Sequence, residues 1–100
     1  MMSILQLTRW KGGKHDEMVQ AARAAKAIIE KHGAEFFRVS RFHTGPYVGE
    51  WLVATRYADW ATYAKVQQAQ ADDAEYQALL SRVGAMAELT GRAVLVGIDL

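Results

Sequence analysis

Two stretches, AEFFRVSRFH (residues 34–43) and GEWLVATRY (residues 49–57), alternate with the period of β-strands, yet neither has a plainly polar face. In the first, Phe36, Arg38, Ser40 and Phe42 oppose Phe37, Val39, Arg41 and His43. In the second, Trp51, Val53, Thr55 and Tyr57 oppose Leu52, Ala54 and Arg56. An antiparallel sheet covered on one side normally turns polar residues to the other. A sheet that is apolar or aromatic on both sides needs a second cover. The simplest cover is another copy of the chain related by a two-fold axis, so a homodimer through the sheet face is expected.

The rest of the chain supplies the first cover. SILQLTRW (residues 3–10) reads as a strand, with Leu5 and Leu7 opposite Gln6, Thr8 and Trp10, and KGGK ends it. From Asp16 to His32 the spacing is helical, with Met18, Ala22, Ala25 and Ile29 on one face and Val19 and Ile28 beside them. Asp16 is placed to cap its first turn, and Gly33 stands where a left-handed terminal residue belongs. Thr44 to Gly49, with Pro46 and two glycines, suit a longer hairpin loop. ADWATYAKVQQAQ (residues 58–70) is helical after Asp59, with Trp60, Tyr63, Ala64 and Gln67 on one face. That spacing predicts core packing for Trp60 and Tyr63. Asp73 caps a further helix carrying Tyr76, Leu79, Leu80, Val83 and Ala87 and ending at Thr90-Gly91. RAVLVGIDL (residues 92–100) closes as a strand with Val94, Val96 and Ile98 on one side. The order βαββαβ is the ferredoxin-like α+β arrangement, an antiparallel sheet with its helices on one face, formed here by one domain spanning residues 1–100.

Composition narrows the function. A net charge of +1 provides no field to gather nucleic acid or anionic lipid. The chain has no cysteine, which excludes disulfides and thiolate chemistry. There is no glycine-rich phosphate loop followed by lysine and no nucleophile-elbow serine. The same topology serves RNA-recognition modules, but EWLVATRY lacks their aromatic third-strand motif. The start, MMSILQLTRW, lacks the pattern of a signal peptide and no apolar run is long enough to cross a bilayer. A cytoplasmic protein with no nucleic-acid or membrane partner is therefore expected.

The strand-to-helix passage EWLVATRYADWATYAKV, the interrupted helix with ADDAEYQALL and the short last strand together resemble the dimeric α+β barrel superfamily. Its members include antibiotic-biosynthesis-monooxygenase-like, EthD-like, NIPSNAP-like and stress-responsive proteins. The resemblance spans nearly the whole chain and implies a pair of subunits whose sheets face each other. It also implies a small molecule held between sheet and helices, with activities from cofactor-free oxygenation to isomerisation and haem breakdown. Haem-degrading barrels carry a histidine ligand on the second helical region. Between Asp59 and Leu89 this chain has none, so no haem is expected.

The three histidines lie far apart with no carboxylate at ligand spacing, so no metal or other cofactor is expected. His15 and His32 flank a helix, where the latter complements the dipole. His43 ends the second strand beside a loop holding Tyr47; it is either a general base, a role that imidazole suits, or a solvated strand-end residue. Arg38 and Arg41 lie on opposite faces of their strand. Arg38, with Ser40, is assigned to the side away from the helices, to hold an anionic or enolate oxygen or to pair at the dimer interface with Glu50 or Asp99. Trp10 and Trp51 stand at strand ends, as cavity-lining residues do, with Gln6 and Ser40 beside them. The candidate site is thus Arg38 and His43 for catalysis, with Gln6, Trp10, Ser40 and Trp51 binding a small organic molecule. The alternative is a non-catalytic ligand-binding or stress-related dimer.

Overall fold

The alternating segments become one antiparallel sheet in the computed structural model, which describes residues 3–100. The chain runs β1 (Ile4–Gly12), α1 (His15–His32), β2 (Phe36–Arg41), β3 (Trp51–Tyr57), α2 (Trp60–Asp72), α3 (Ala74–Met86) and β4 (Ala87–Val96). The strands lie in the order β2-β3-β1-β4, every neighbouring pair antiparallel. This is the expected ferredoxin-like arrangement, with the second helical region divided in two.

Local chemistry explains most boundaries. Asp59 accepts from the Thr62 amide at 2.7 Å and starts α2, and Asp73 accepts from the Tyr76 amide at 3.1 Å and starts α3. Gly33 ends α1 with φ 126°, a backbone angle that side chains resist. Asp16 does not cap α1. The helix begins one residue earlier, at His15, and Lys14 holds the cap position without a side-chain bond. Asp16 and Glu17 instead sit in the first turn, where carboxylates complement the positive end of the dipole.

The last strand departs furthest from expectation. α3 stops at Met86, and residues expected to be helical up to Thr90-Gly91 belong to β4. The cause is tertiary: Ala87, Glu88 and Leu89 pair with Gly12, Lys11 and Trp10, extending the ladder along all of β1. A register shift between Arg9 and Trp10 accommodates the extra residue. Helical spacing is a local preference, and the long partner strand outweighs it.

The helices and the sheet enclose a core of Ile4, Ile29, Ala34, Phe37, Tyr57 and Val66, with a second cluster of Ala21, Ile28 and Leu79. Tyr63 packs against the first cluster, but Trp60 is 45% exposed and lies edge-on to Tyr63 at 5.6 Å. Val66 is the side chain that α2 buries completely. Glu30 accepts from the Phe37 amide at 3.1 Å, tying the end of α1 to the edge strand.

Cross-strand pairing sorts the two faces. Toward the helices lie the rungs Val94–Gln6–Thr55–Phe37, Arg92–Thr8–Val53–Val39 and Leu89–Trp10–Trp51–Arg41. Away from them lie Leu95–Leu5–Arg56–Phe36, Ala93–Leu7–Ala54–Arg38 and Gly91–Arg9–Leu52–Ser40. The helix-free face therefore has an apolar centre of Leu5, Leu7, Leu52 and Ala54. Its corner is tied by Arg9, which meets Glu50 at 3.3 Å and stacks on the Tyr47 ring at 3.6 Å.

Candidate functional site

Between the sheet and the three helices is a cavity of about 250 Å³. β1 contributes Gln6, Thr8 and Trp10, β2 contributes Phe37 and Val39, and β3 contributes Trp51 and Val53. Met18, Ala21, Ala22 and Ala25 of α1 form one wall, and Leu79, Leu80 and Val83 of α3 another. The wall is apolar because these positions recur every three or four residues on each helix.

Polar groups gather at one part of this wall. Gln67 of α2 donates to the Gln6 side-chain oxygen at 3.1 Å and to the Tyr57 hydroxyl at 3.3 Å. Gln70, one turn further along, also lines the cavity, as do Tyr76 and Arg92. Burial pushes the Tyr57 hydroxyl up to about 12, with hydrogen bonds from Gln70 and Gln67 pulling the other way. Burial raises Tyr76 as well, and the charge of Arg92 partly offsets it. Both rings are therefore neutral phenols near neutral pH. Trp10 donates to the Thr8 hydroxyl at 3.0 Å, and both residues line the cavity.

Trp51 is held from three sides. Its indole N–H donates to the Gly12 carbonyl at 3.1 Å, the His15 ring lies 5.5 Å away, and Arg41 sits 4.5 Å above its ring. It is 3% exposed, and it also lines a second, more open cleft of about 370 Å³ between α1 and β2. Ser40 and Arg41 border that cleft with His15, Arg23 and Lys26.

The sequence candidates thus divide. Gln6, Trp10 and Trp51 meet in the cavity. Arg38 lies on the helix-free face, its guanidinium 4.2 Å above the Phe36 ring, and Ser40 shares that face at the sheet edge. His43 lies two residues beyond β2, exposed in the hairpin. Glu50, a suggested partner of Arg38, pairs with Arg9. Five polar cavity groups were not singled out as site residues from the sequence: Thr8, Gln67, Gln70, Tyr76 and Arg92. Arg92 had a readable signal, since it shares strand parity with Val94 and Val96. No group of three or more histidine, aspartate or glutamate residues able to hold a metal occurs among the described residues.

The overall shape has clear counterparts among solved structures. An uncharacterised NIPSNAP domain protein from Burkholderia xenovorans superposes with a TM-score of 0.73 at 19% identity, covering 100% of this chain and 95% of that one. A dimeric ferredoxin-like protein from an uncultured marine organism gives 0.73 at 12% identity, covering 100% and 99%. A mutant of SnoaB, a cofactor-independent oxygenase from Streptomyces nogalater, gives 0.70 at 8% identity, covering 97% and 92%. The chain has the ferredoxin-like α+β fold that these structures share. No family model and no curated protein matches it. At these identities the likeness establishes the fold alone, and chemistry has to be argued from the site. Among the described residues no helix is long and apolar enough to cross a membrane.

Proposed function

We propose that the chain works as a homodimer joined through its helix-free sheet face, each subunit holding a small organic molecule in the cavity between sheet and helices. One observation carries this reading: Gln6, Gln67, Gln70, Tyr76 and Arg92 converge on a cavity whose other walls are aliphatic and aromatic. A few placed polar groups in an apolar cleft orient a ligand, which is what a binding site requires. The dimer is supported by Leu5, Leu7, Leu52 and Ala54 at the centre of the opposite face. Arg38 and Ser40, on that same face, belong to the interface in this reading. His43, in the exposed hairpin, reaches toward the partner.

The activity we propose is a metal-free reaction of the oxygenase or isomerase type, the class to which the structurally similar SnoaB belongs in part as a cofactor-independent oxygenase. The neutral phenol of Tyr76 and the glutamine amides supply hydrogen bonds to a substrate oxygen, and Arg92 supplies charge. A second reading, ligand binding without turnover, is favoured by a specific feature: no carboxylate or imidazole lines the cavity among the described residues. In the catalytic reading the substrate must therefore ionise without a protein base in the cavity.

Oxygen uptake with a small hydroquinone and deuterium exchange into a small 1,3-diketone separate the two readings. Either signal above the buffer rate, lost in Gln67→Leu and Tyr76→Phe, supports catalysis. Tryptophan quenching by these probes without either signal supports the binding module.

A further inference from the structure

Arg92 is the only charged side chain lining the cavity between the sheet and the three helices among the described residues. It lies across from Thr8 on the helix-facing rung of the sheet. No ion pair joins it to another described residue, whereas the cations Arg9, Lys26 and Arg56 are each paired with a glutamate. It is exposed, as is the neighbouring lining residue Leu89, so both mark the cavity's open end. Beyond them the walls become tryptophan and aliphatic carbon, with the glutamine amides set deeper. A guanidinium beside an apolar enclosure matches a molecule with one anionic oxygen group and a nonpolar body, because the charge stays partly hydrated while the body is desolvated. The volume limits that body. About 250 Å³ lies below the ~300–1,000 Å³ of ordinary small-molecule sites.

We infer that the cavity takes a monoanion with a single ring or short chain, a carboxylate or ionised enol, with its charged oxygens on Arg92 and its body between Trp10 and the α3 wall. The inference rests on the proposed reading of this cavity as the ligand site, and adds charge and size to it. The burial that keeps Tyr76 protonated makes that phenol a hydrogen-bond donor to the same oxygens.

Phenylacetate, its neutral counterpart phenylacetamide and the three-ring anthracene-9-carboxylate test it. Binding is followed through the fluorescence of Trp10 and Trp51 in a Trp60→Phe background, with circular dichroism to establish folding. Phenylacetate is expected to bind about ten-fold more tightly than the amide, the scale of one charge-assisted contact. Arg92→Gln is expected to remove that preference, Arg92→Lys to keep part of it, and Arg82→Gln, on the exposed side of α3, to leave it intact. Equal binding of acid and amide by the parent protein, or a preference surviving in folded Arg92→Gln, overturns the charge assignment while leaving the cavity as a ligand site. Tighter binding of the three-ring acid than of phenylacetate overturns the size assignment. No response to any of the three at millimolar concentration overturns both the inference and the reading on which it rests.

Discussion

The side-chain amide of Gln67 meets the side-chain oxygen of Gln6 at 3.1 Å, joining α2 to the central strand β1 across 61 residues of sequence. The same amide reaches the Tyr57 hydroxyl at 3.3 Å, so one residue ties a polar group of the cavity wall to a tyrosine of the core. Replacing Gln67 by Leu keeps the side-chain bulk and deletes both bonds. The expected loss of folding stability is about 1–2 kcal/mol, the usual size for deleted hydrogen bonds at a half-buried site. Urea unfolding checks it. Probe affinity should fall as well, and an unchanged affinity would remove Gln67 from the binding wall.

Leu7 occupies the centre of the helix-free face, between Ala54 and Ala93. Leu7→Lys places an ammonium in the proposed subunit contact, where a desolvated, unpaired charge is strongly disfavoured. Light scattering at micromolar concentration should show a dimer for the parent protein and a monomer for the variant. A parent protein that is monomeric under those conditions removes the interface.

His32 and Asp73 lie 2.7 Å apart, linking the end of α1 to the junction of α2 and α3. The hydrogen bond from His32, then that from the Tyr76 amide, hold the Asp73 carboxyl below its ordinary value of 3.8. A carboxyl whose value is lowered by folding contributes stability that is fully present above the ordinary value. That stability is lost as pH falls through the lowered one. Asp73→Asn keeps a cap oxygen and removes the charge, so its acid-limb melting curve should fall less steeply than the parent's. Asp73→Ala removes the cap too, at ~4–8 °C in Tm for a cap of average strength in a domain of this size.

Tyr57 is 1% exposed and its hydroxyl is raised from 10.0 to about 12. Folding thus favours the protonated phenol, which is the acid form. Its contribution is complete below 10 and declines as pH rises from there toward 12, because the unfolded chain ionises first. Tyr57→Phe should flatten this alkaline limb, and an ultraviolet phenolate titration of the variant should show one fewer late-titrating tyrosine than the parent.

Much of the architecture was legible in residue spacing. The β1 to β3 alternation, the Asp59 and Asp73 caps and the glycine end of α1 are all set by neighbours within a few residues. The misreadings share a different origin. Leu89 and Thr90 fit a helical spacing, and only pairing with β1 draws them into β4. Trp60 fits the same helical face as Tyr63, but as the first residue of α2 it stays 45% exposed, and Val66 is the residue of that helix that is buried. At the site, Gln6, Trp10 and Trp51 were recognisable from strand position, whereas Arg92 and Tyr76 become neighbours of the cavity only when β4 and α3 close over β1.

What the sequence determined by itself is periodicity: which segments are strands, which are helices, and that both faces of the sheet carry apolar side chains. The tertiary structure decided which of those faces receives the helices, and with it which arginine meets the cavity. The polar-looking row of β1, Gln6 and Thr8, turned inward to the glutamines and Arg92, while Leu5 and Leu7 turned outward. Period-two spacing makes the two faces equivalent along the chain. Only packing of the helices against one of them breaks that equivalence.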